Sequence, residues 1–319
     1  MKVLVTGGAG YIGAIVAERL LADGHDVTVL DDLSTGHRGA VPGAARFVRA
    51  SLLAPDGLAD LVRDHDAVMH FAALSLVGAS MEQPTHYVRS NVTAAANLLD
   101  AMEAAGVRRL VVSSTAAVYG APTKIPIEER DPAAPTNPYG LSKLTVDRLV
   151  GFAARNGTAG VSLRYFNVAG ATEERGEQHD PETHLIPNVL AVAAGRQDAV
   201  HVFGTEYPTP DGTAIRDYLH VADLADAHVL ALQATTAPGH LVYNLGSSAG
   251  FSVRQVLDAA RDVTGSPIPA VESERREGDP PVLVASSEKI RRELGWRPRK
   301  GTLDQILADA WRWTSRQSA

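Results

Sequence analysis

The side chains with the clearest chemical potential lie in Asn137-Pro138-Tyr139-Gly140-Leu141-Ser142-Lys143. Tyr139 and Lys143 are four residues apart, so on a helix they project from one face, one turn above the other. A free phenol has a pKa near ~10, and only about one molecule in a thousand is ionised at neutral pH. A cation within a few ångströms can lower that pKa by roughly 1–3 units, which makes a usable base. Asn137 can cap the helix and Pro138 suits its first position, so the start of the helix is well defined. Tyr-x-x-x-Lys pairs are common on helices, and the chemistry depends on what surrounds them. Thr115 is a second candidate, because a hydroxyl leaving a buried strand end opens onto the same cleft as a ligand bound there.

The elements that must position these groups begin at residue 3. Val3-Leu4-Val5 reads as a buried strand, followed by Thr6-Gly7-Gly8-Ala9-Gly10-Tyr11-Ile12-Gly13 and a helical stretch from Ala14 to Ala22. The glycines parse as Gly8-x-Gly10-x-x-Gly13 or Gly7-x-x-Gly10-x-x-Gly13. Either way they form a strand, a tight turn and a helix whose N-terminal N–H groups can receive a diphosphate. A second strand, Asp26 to Leu30, ends in Asp31, eighteen residues past Gly13. A carboxylate there can accept both ribose hydroxyls of NAD and repels the 2′-phosphate of NADP.

The alternation continues through strands at 47–48, 67–71 and 109–113, with helices at 56–62 and 84–105 between them. The helix from Pro138 to about Ala154 and a strand at 161–164 follow. This pattern implies a parallel sheet with right-handed crossovers, and its ligands sit beyond the carboxyl ends of the strands. Those ends carry His70-Phe71-Ala72-Ala73 and Ser113-Ser114-Thr115. His70 fits a hydrogen-bonded strand-end residue better than a base. The fold class expected is α/β, a Rossmann-type doubly wound parallel sheet over 1–167, with a smaller mixed α/β substrate domain over 168–319. Residues 217–245 are candidates to return to the first domain.

After Asn167 the composition changes. Residues 169–183 are Gly-rich, charged and non-periodic, which reads as a loop. Helices are expected at 184–195, 224–233, 253–263, 288–294 and 303–312, and strands at 199–203, 217–220 and 242–245; the tail after Trp313 reads as loose. Glu128-Glu129 and Glu173-Glu174 read as solvated surface. No His-Glu-x-x-His and no tight group of ligand side chains stands out, so no metal is expected. A Gly-x-Ser-x-Gly nucleophile turn is also absent.

Composition limits the partners. The 319 residues hold 37 acidic against 30 basic side chains, a net charge of −7, which disfavours nucleic acid and anionic membrane surfaces. An anionic ligand must therefore meet local Arg or Lys or a helix N-terminus. Cysteine is absent, which excludes disulfides, thiolate catalysis and cysteine metal sites. No run of 18 apolar residues and no basic, cleavable leader precedes the first strand, so the expected location is cytoplasmic.

Thr6–Gly13, Ser113-Ser114-Thr115 and Tyr139-x-x-x-Lys143 together resemble the extended short-chain dehydrogenase/reductase superfamily. Within it, four further blocks resemble the UDP-glucose 4-epimerase family over nearly the whole chain. They are Leu163-Arg164-Tyr165-Phe166-Asn167, Asp211-Gly212-Thr213-x-x-Arg216-Asp217-Tyr218-x-His220-Val221, Tyr243-Asn244-Leu245-Gly246 and Arg276-Glu277-Gly278-Asp279. The resemblance implies a redox-neutral cycle on bound NAD with a UDP-sugar as substrate and a homodimer as the assembly. In that cycle Tyr139 takes the proton of the sugar 4-hydroxyl as C4 loses hydride to the nicotinamide, and Thr115 bonds the same oxygen. The 4-keto sugar turns over and takes the hydride back on its other face. Lys143 holds the cofactor ribose and depresses the Tyr139 pKa.

By the same resemblance the cofactor meets Gly7, Gly10, Tyr11, Ile12, Gly13, Asp31 and Asp32 around the first turn, with Leu52 and with Ser51, which stands at the family's adenine contact. It also meets Phe71, Ala72, Ala73, Ser75, Asn91, Ser113, Tyr139, Lys143 and Tyr165. The substrate meets Thr115, Tyr139, Asn167, His184, Leu185, Arg216, Arg276, Asp279 and Leu283. Two arginines suit a diphosphate that the acidic chain otherwise repels. The homodimer is expected through apolar stripes on the helices at 84–105 and from 138.

Single residues separate neighbouring families. Sugar 4,6-dehydratases of this fold carry Asp-Glu after the Thr, where this chain has Ala116-Ala117 and so lacks proton carriers for elimination. A ketoreductase would more often prefer NADPH, which Asp31 opposes. The chain departs from the family at Thr115 (often Ser), Ser51 (often Asp), Ser75 (Lys in some members) and His184 (often Asn). Leu283 stands at the sugar-pocket gate, where a small residue admits N-acetylated sugars and Tyr excludes them; Leu points to a plain hexose. The alternatives are the same mechanism on a UDP-N-acetylhexosamine, UDP-pentose or UDP-uronic acid, and a non-catalytic NAD-binding regulator.

Overall fold

Short apolar runs buried on both faces become a parallel sheet only if helices cover each side. The computed structural model describes residues 1–276 and 279–317, and it has that arrangement. The first part of the chain forms β1 (Lys2–Thr6), α1 (Tyr11–Ala22), β2 (Asp26–Asp31), β3 (Arg46–Arg49), α2 (Leu58–Arg63), β4 (Ala67–His70), α3 (Val77–Glu82), α4 (Pro84–Ala105), β5 (Arg109–Thr115), α5 (Pro138–Ala153) and β6 (Ala159–Tyr165). The remainder forms β7 (Asn167–Ala169), α6 (Leu185–Ala193), β8 (Val200–Phe203), β9 (Ile215–His220), α7 (Val221–Ala234), β10 (Gly239–Leu245) and β11 (Gly250–Ser252). These are followed by α8 (Val253–Thr264), β12 (Ala270–Ser273), β13 (Val282–Leu283), α9 (Glu288–Leu294) and α10 (Leu303–Arg316).

The large sheet has seven strands in the order β10-β6-β5-β4-β1-β2-β3, every neighbouring pair parallel. Successive residues alternate between two cores. Val3, Val5, Val29, Met69 and Val111 face α1 and α7, packing with Ile15, Val16, Leu20, Leu224 and Leu232. Leu4, Leu30, Val68, Leu110 and Val112 face the other way, against Leu98 and Met102 of α4 and Val146 and Val150 of α5. The α/β Rossmann-type expectation holds. The strand order reverses between β1 and β4, which opens a crevice at the carboxyl ends of those strands.

After Tyr165 the chain leaves this sheet. β7 pairs with β9, and β9 pairs with β11 and β13, while β8 pairs with β12. A separate apolar core joins α6, α8 and α10. α7 and β10 then rejoin the large sheet, whereas β9 stays with the small one. The tail is a correction: α10 continues through Trp313 to Arg316, because the Trp313 indole sits on Gly176 and donates to the Glu177 carbonyl at 3.3 Å. Among the described residues no helix is long and apolar enough to cross a membrane.

Candidate active site

The first turn is built from backbone. Gly7 has φ +73°, and a Cβ on Gly13 would lie 2.3 Å from the Gly7 carbonyl oxygen, so α1 can approach β1 this closely only without side chains. Gly10 is the N-cap of α1 and no side chain caps the helix, which leaves its first N–H groups for an anion. Asp31, buried at the end of β2, accepts the Ala9 N–H at 2.9 Å and the Leu33 N–H at 2.8 Å. Each carboxylate oxygen keeps a further acceptor position. Burial raises the Asp31 pKa, against the pull of those two N–H groups. This cradle fits a dinucleotide with free ribose hydroxyls. Tyr11 donates to the Gly170 carbonyl at 2.6 Å, tying the turn to the segment after β7, and Ile12 packs on the core below.

Other expected cofactor contacts are already engaged with protein. Asp32 accepts from the Ser34 N–H at 2.9 Å and from the Ser51 hydroxyl at 3.0 Å. The Leu52 side chain is buried in the core and its carbonyl accepts from Asn97 at 2.8 Å. Asn91 makes three bonds, two to the Leu74 backbone and one to the Ser142 hydroxyl; these hold the loop after β4 against α5. Phe71, Ala72 and Ala73 are half-buried at the carboxyl end of β4, and Ser75 is exposed. His70 is neutral, as its context suggested: burial and the nearby Lys143 push it down to about 3, and Thr6 Oγ1 lies 2.8 Å from its Nδ1.

α5 starts as expected, with Asn137 accepting the Gly140 N–H at 2.8 Å and Pro138 in the first turn. Gly140 supplies the close approach that matters for the chemistry. A Cβ there would lie 2.5 Å from the Ala117 carbonyl oxygen, so the helix start presses against the short turn that follows Thr115. The Thr115 hydroxyl accepts the Ala117 N–H at 3.2 Å at this turn, and it is near enough to the Tyr139 phenol to pull that pKa down. Lys143, one turn on, is buried and donates to the Ser113 carbonyl at 3.0 Å and the Ser113 hydroxyl at 2.9 Å.

The electrostatics correct one expectation. The Tyr139 phenol is not depressed but pushed up to about 12: burial outweighs the pull of the Thr115 hydroxyl. The Lys143 ammonium is spent on Ser113 rather than turned to the phenol, and burial lowers it to about 8 against the opposing charge of Asp147. In the protein alone, then, desolvation exceeds the pairing that a Tyr-x-x-x-Lys spacing suggests. Beneath this pair, Arg164 meets Asp147 at 3.0 Å in the interior. The Arg164 guanidinium also donates to the Tyr119 hydroxyl at 2.9 Å. That hydroxyl donates on to Asn244 Oδ1 at 2.7 Å. Glu129 is a second correction: it is no solvated residue but accepts the Asn244 N–H at 2.8 Å. Glu128 pairs with Lys124 at 2.6 Å and Arg130 at 2.7 Å, and Glu173 and Glu174 are exposed.

Sequence reasoning selected Phe71 and Tyr165 but missed His228, the residue that joins them. Tyr165 is buried with its hydroxyl 3.0 Å from His228 Nε2, and Phe71 packs on the same imidazole at 4.9 Å between ring centres. His228 Nδ1 lies 2.9 Å from the Leu224 carbonyl and so donates to it, which leaves Nε2 to accept from Tyr165. Burial holds His228 down at about 4. His228 lies far along the chain on α7, and no local pattern marks it.

On the other side of the cleft, β9 presents Arg216, which donates to Asp279 at 2.6 Å and to the Ile215 carbonyl at 2.8 Å. Asn167 on β7 is aligned with Tyr218, the second residue after Arg216. β13 sets Leu283 opposite Arg216, and Leu283 packs on the cluster of Ala116, Leu144 and Phe166. Arg276 lies over the Phe203 ring at 4.1 Å. Arg275, which sequence reasoning did not select, covers the Tyr207 ring at 4.3 Å and donates to the Asp279 carbonyl at 2.8 Å. The Arg275-Arg276 doublet was the available signal. Glu277 and Gly278 of the same motif lie outside the described residues. Asp217, buried, gathers the Ser247, Ser248 and Ala285 N–H groups and the Ser247 hydroxyl, fixing the frame around β9.

His184 precedes α6 as its N-cap residue, with Leu185 beginning the helix. Its Nδ1 lies 2.7 Å from Glu182. Burial opposes its charge, but Glu182 and Glu177 prevail and raise its pKa. The expectation of no tight group of ligand side chains is corrected here: one ligand atom each from Glu177, His179, Glu182 and His184 lie within 4.8 Å of one another.

A family model for the NAD dependent epimerase/dehydratase family matches residues 3–246. The chain belongs to that family. It is 52% identical over 318 residues to the UDP-glucose 4-epimerase of Corynebacterium glutamicum, covering 99% of this chain and 96% of the relative. The crystal structure of UDP-glucose 4-epimerase from Brucella ovis in complex with NAD superposes with a TM-score of 0.94 at 42% identity, covering 98% of each chain. The structure of the Bifidobacterium longum UDP-glucose 4-epimerase in complex with NAD+ and UDP also has a TM-score of 0.94, at 35% identity, covering 99% of this chain and 98% of that one. The sequence expectation of an NAD-dependent epimerase therefore holds.

Proposed function

We propose that the chain interconverts UDP-galactose and UDP-glucose by inverting C4, and that Thr115, Tyr139 and Lys143 do the proton work. The observation that supports this most directly is the close approach of the α5 start to the turn after β5, with Gly140 against the Ala117 carbonyl, which sets Tyr139 beside Thr115 while Lys143, one helical turn on, is held by Ser113. NAD, when bound, would supply a hydride acceptor and donor for sugar C4 and, in its oxidised form, positive charge. Tyr139 receives the 4-hydroxyl proton at its phenol oxygen and gives it back when the 4-keto sugar has turned over. Thr115 bonds the same sugar oxygen and keeps it at the phenol. Lys143 holds the cofactor ribose, with Ser113 orienting its ammonium. Gly7, Gly10 and Gly13 receive the diphosphate of NAD and Asp31 its adenosine ribose.

Arg216 and Arg276 neutralise the UDP diphosphate, with Asn167, His184, Leu185 and Asp279 around the nucleotide. Holding the nucleotide and leaving the hexose with few directional bonds permits the turn. Leu283, against Phe166, sets the room beside the sugar and favours a plain hexose over an N-acetylated one. The dimer forms through α4 and α5: Val88, Val92 and Leu99 are partly exposed on α4, and Leu141 and Phe152 are exposed on α5. The reaction runs in the cytoplasm, where UDP-sugars are made. Purified protein given UDP-galactose with no added NAD should yield UDP-glucose, and denaturation should release NAD. A chain that releases NAD but converts no nucleotide sugar would fit the regulator instead. Light scattering giving a monomer would refute the dimer.

A further inference from the structure

We propose that Glu177, His179, Glu182 and His184 form a Zn2+ site that clamps the segment joining β7 to α6. The site gives His184 to the ion in place of the nucleotide contact that the family resemblance implies, and its test needs no substrate. The four residues form two copies of Glu-x-His, five residues apart, inside the stretch that otherwise reads as a featureless loop. Residues 170–184 carry no helix or strand, and a segment of that length without structure in a compact domain calls for some other fastening.

The donors are the right ones. Two imidazoles and two carboxylates make a four-ligand set suited to Zn2+, and their two negative charges balance the ion. Their ligand atoms already lie within 4.8 Å of one another. A tetrahedral Zn2+ with bonds of about 2.0–2.1 Å needs donors ~3.4 Å apart, so rotation of four side-chain ends by about an ångström closes the cage. In the structure each histidine faces its own glutamate: His184 Nδ1 lies 2.7 Å from Glu182 Oε1, and His179 Nδ1 is paired with Glu177 Oε1. The His179 and His184 rings stand 5.4 Å apart between centres, which brings the two pairs together.

The backbone is held before any ion arrives. Trp313 donates to the Glu177 carbonyl and the His37 ring lies 2.9 Å from the Gln178 carbonyl. Arg175, just upstream, pairs with Glu18 of α1 at 2.6 Å and with the Ala40 carbonyl at 2.8 Å. Preorganised backbone lowers the entropy lost when four side chains converge. The segment touches both halves of the cleft, since Gly170 accepts from Tyr11 at the glycine turn and His184 is the N-cap residue of α6. An ion here would fix the cofactor turn relative to the substrate helix.

The test uses the whole chain, expressed with and without added zinc, and needs no substrate. Elemental analysis after gel filtration should find one Zn2+ per chain. Co2+ exchanged into the wild type should give the visible absorption of a four-coordinate ion with nitrogen and oxygen donors. His179→Ala and Glu177→Gln should each lose the ion, while His201→Ala, an exposed histidine elsewhere, should keep it. Zn2+ at about 100 times its Kd should raise the melting temperature of the wild type and not of the His179→Ala chain. Wild-type protein that carries no stoichiometric Zn2+ and shows no Co2+ spectrum would overturn the proposal. So would a His179→Ala chain that binds the ion as tightly as the wild type. If the variants fail to fold, the Co2+ spectrum of the wild type decides.

Discussion

The two walls of the cleft are made of different material. The wall proposed for the cofactor is backbone and buried: glycines at the first turn, an uncapped helix N-terminus, and a carboxylate held by two N–H groups. The wall proposed for the substrate is long side chains over a small sheet, where Arg216, Arg275 and Arg276 lie against Asp279, Tyr207 and Phe203. Backbone contacts carry no side-chain entropy and cannot be retuned by single substitutions, which suits a group that stays. Arginines paired with a carboxylate can exchange that partner for a diphosphate, which suits a molecule that must enter and leave. Tyr139 and Thr115 stand where the two walls meet.

The difference can be broken at that meeting point first. Tyr139→Phe should lower kcat by about 10³-fold, within the range known for losing a general base, while released NAD stays at wild-type amounts. Gly140→Ala tests positioning. The new methyl pushes α5 off the Ala117 carbonyl, so kcat should fall by about 10²-fold with NAD content retained, as expected for an ångström-scale misplacement. Arg216→Ala addresses the substrate wall alone: KM for UDP-galactose should rise by roughly 10–100-fold, the value of a charge-assisted bond, with NAD content unchanged. Equal loss of NAD and substrate binding would mean the two walls are not separable. Leu283→Ala sharpens the comparison within the substrate wall, and should raise turnover of UDP-N-acetylglucosamine relative to UDP-glucose about 10-fold.

The smallest effect is one of pH on stability. His70 and His228 titrate at about 3 and about 4 in the folded chain, against an ordinary value near 6.5. Below pH ~6.5 the unfolded chain therefore binds protons that the folded chain refuses, and stability falls as pH drops toward 4. Lys143, lowered to about 8 from 10.5, acts in the opposite range: its burial cost is lifted as pH rises from about 8 to 10.5. Melting curves across pH 4–7 should show the acid loss, and His228→Asn should reduce it.

Much of the cofactor wall was legible because it is local. Gly7 to Gly13, Asp31 at the end of β2 and Asn137-Pro138 before Tyr139 act through neighbours a few residues away, and strand–turn–helix geometry follows from spacing. The substrate wall was legible mainly through resemblance, since Arg216, Asp279 and Leu283 have no common period and meet only when β13 pairs with β9. The stretch from 169 to 183 was read as irregular, which holds from residue 170 on, while Ala169 ends β7; the Glu-x-His repeat at 177–184 was passed over because neither copy has a familiar metal spacing.

The chain by itself determined the alternating strands and helices, the glycine turn, the start of α5 and the one-face pairing of Tyr139 with Lys143, because each rests on backbone geometry within a few residues. Tertiary structure alone decided that Lys143 turns to Ser113, that the Tyr139 phenol rises, that Glu129 is tied to Asn244 and that His228 backs Tyr165. Those outcomes depend on desolvation and on partners as many as 115 residues apart in the sequence, which no spacing rule contains.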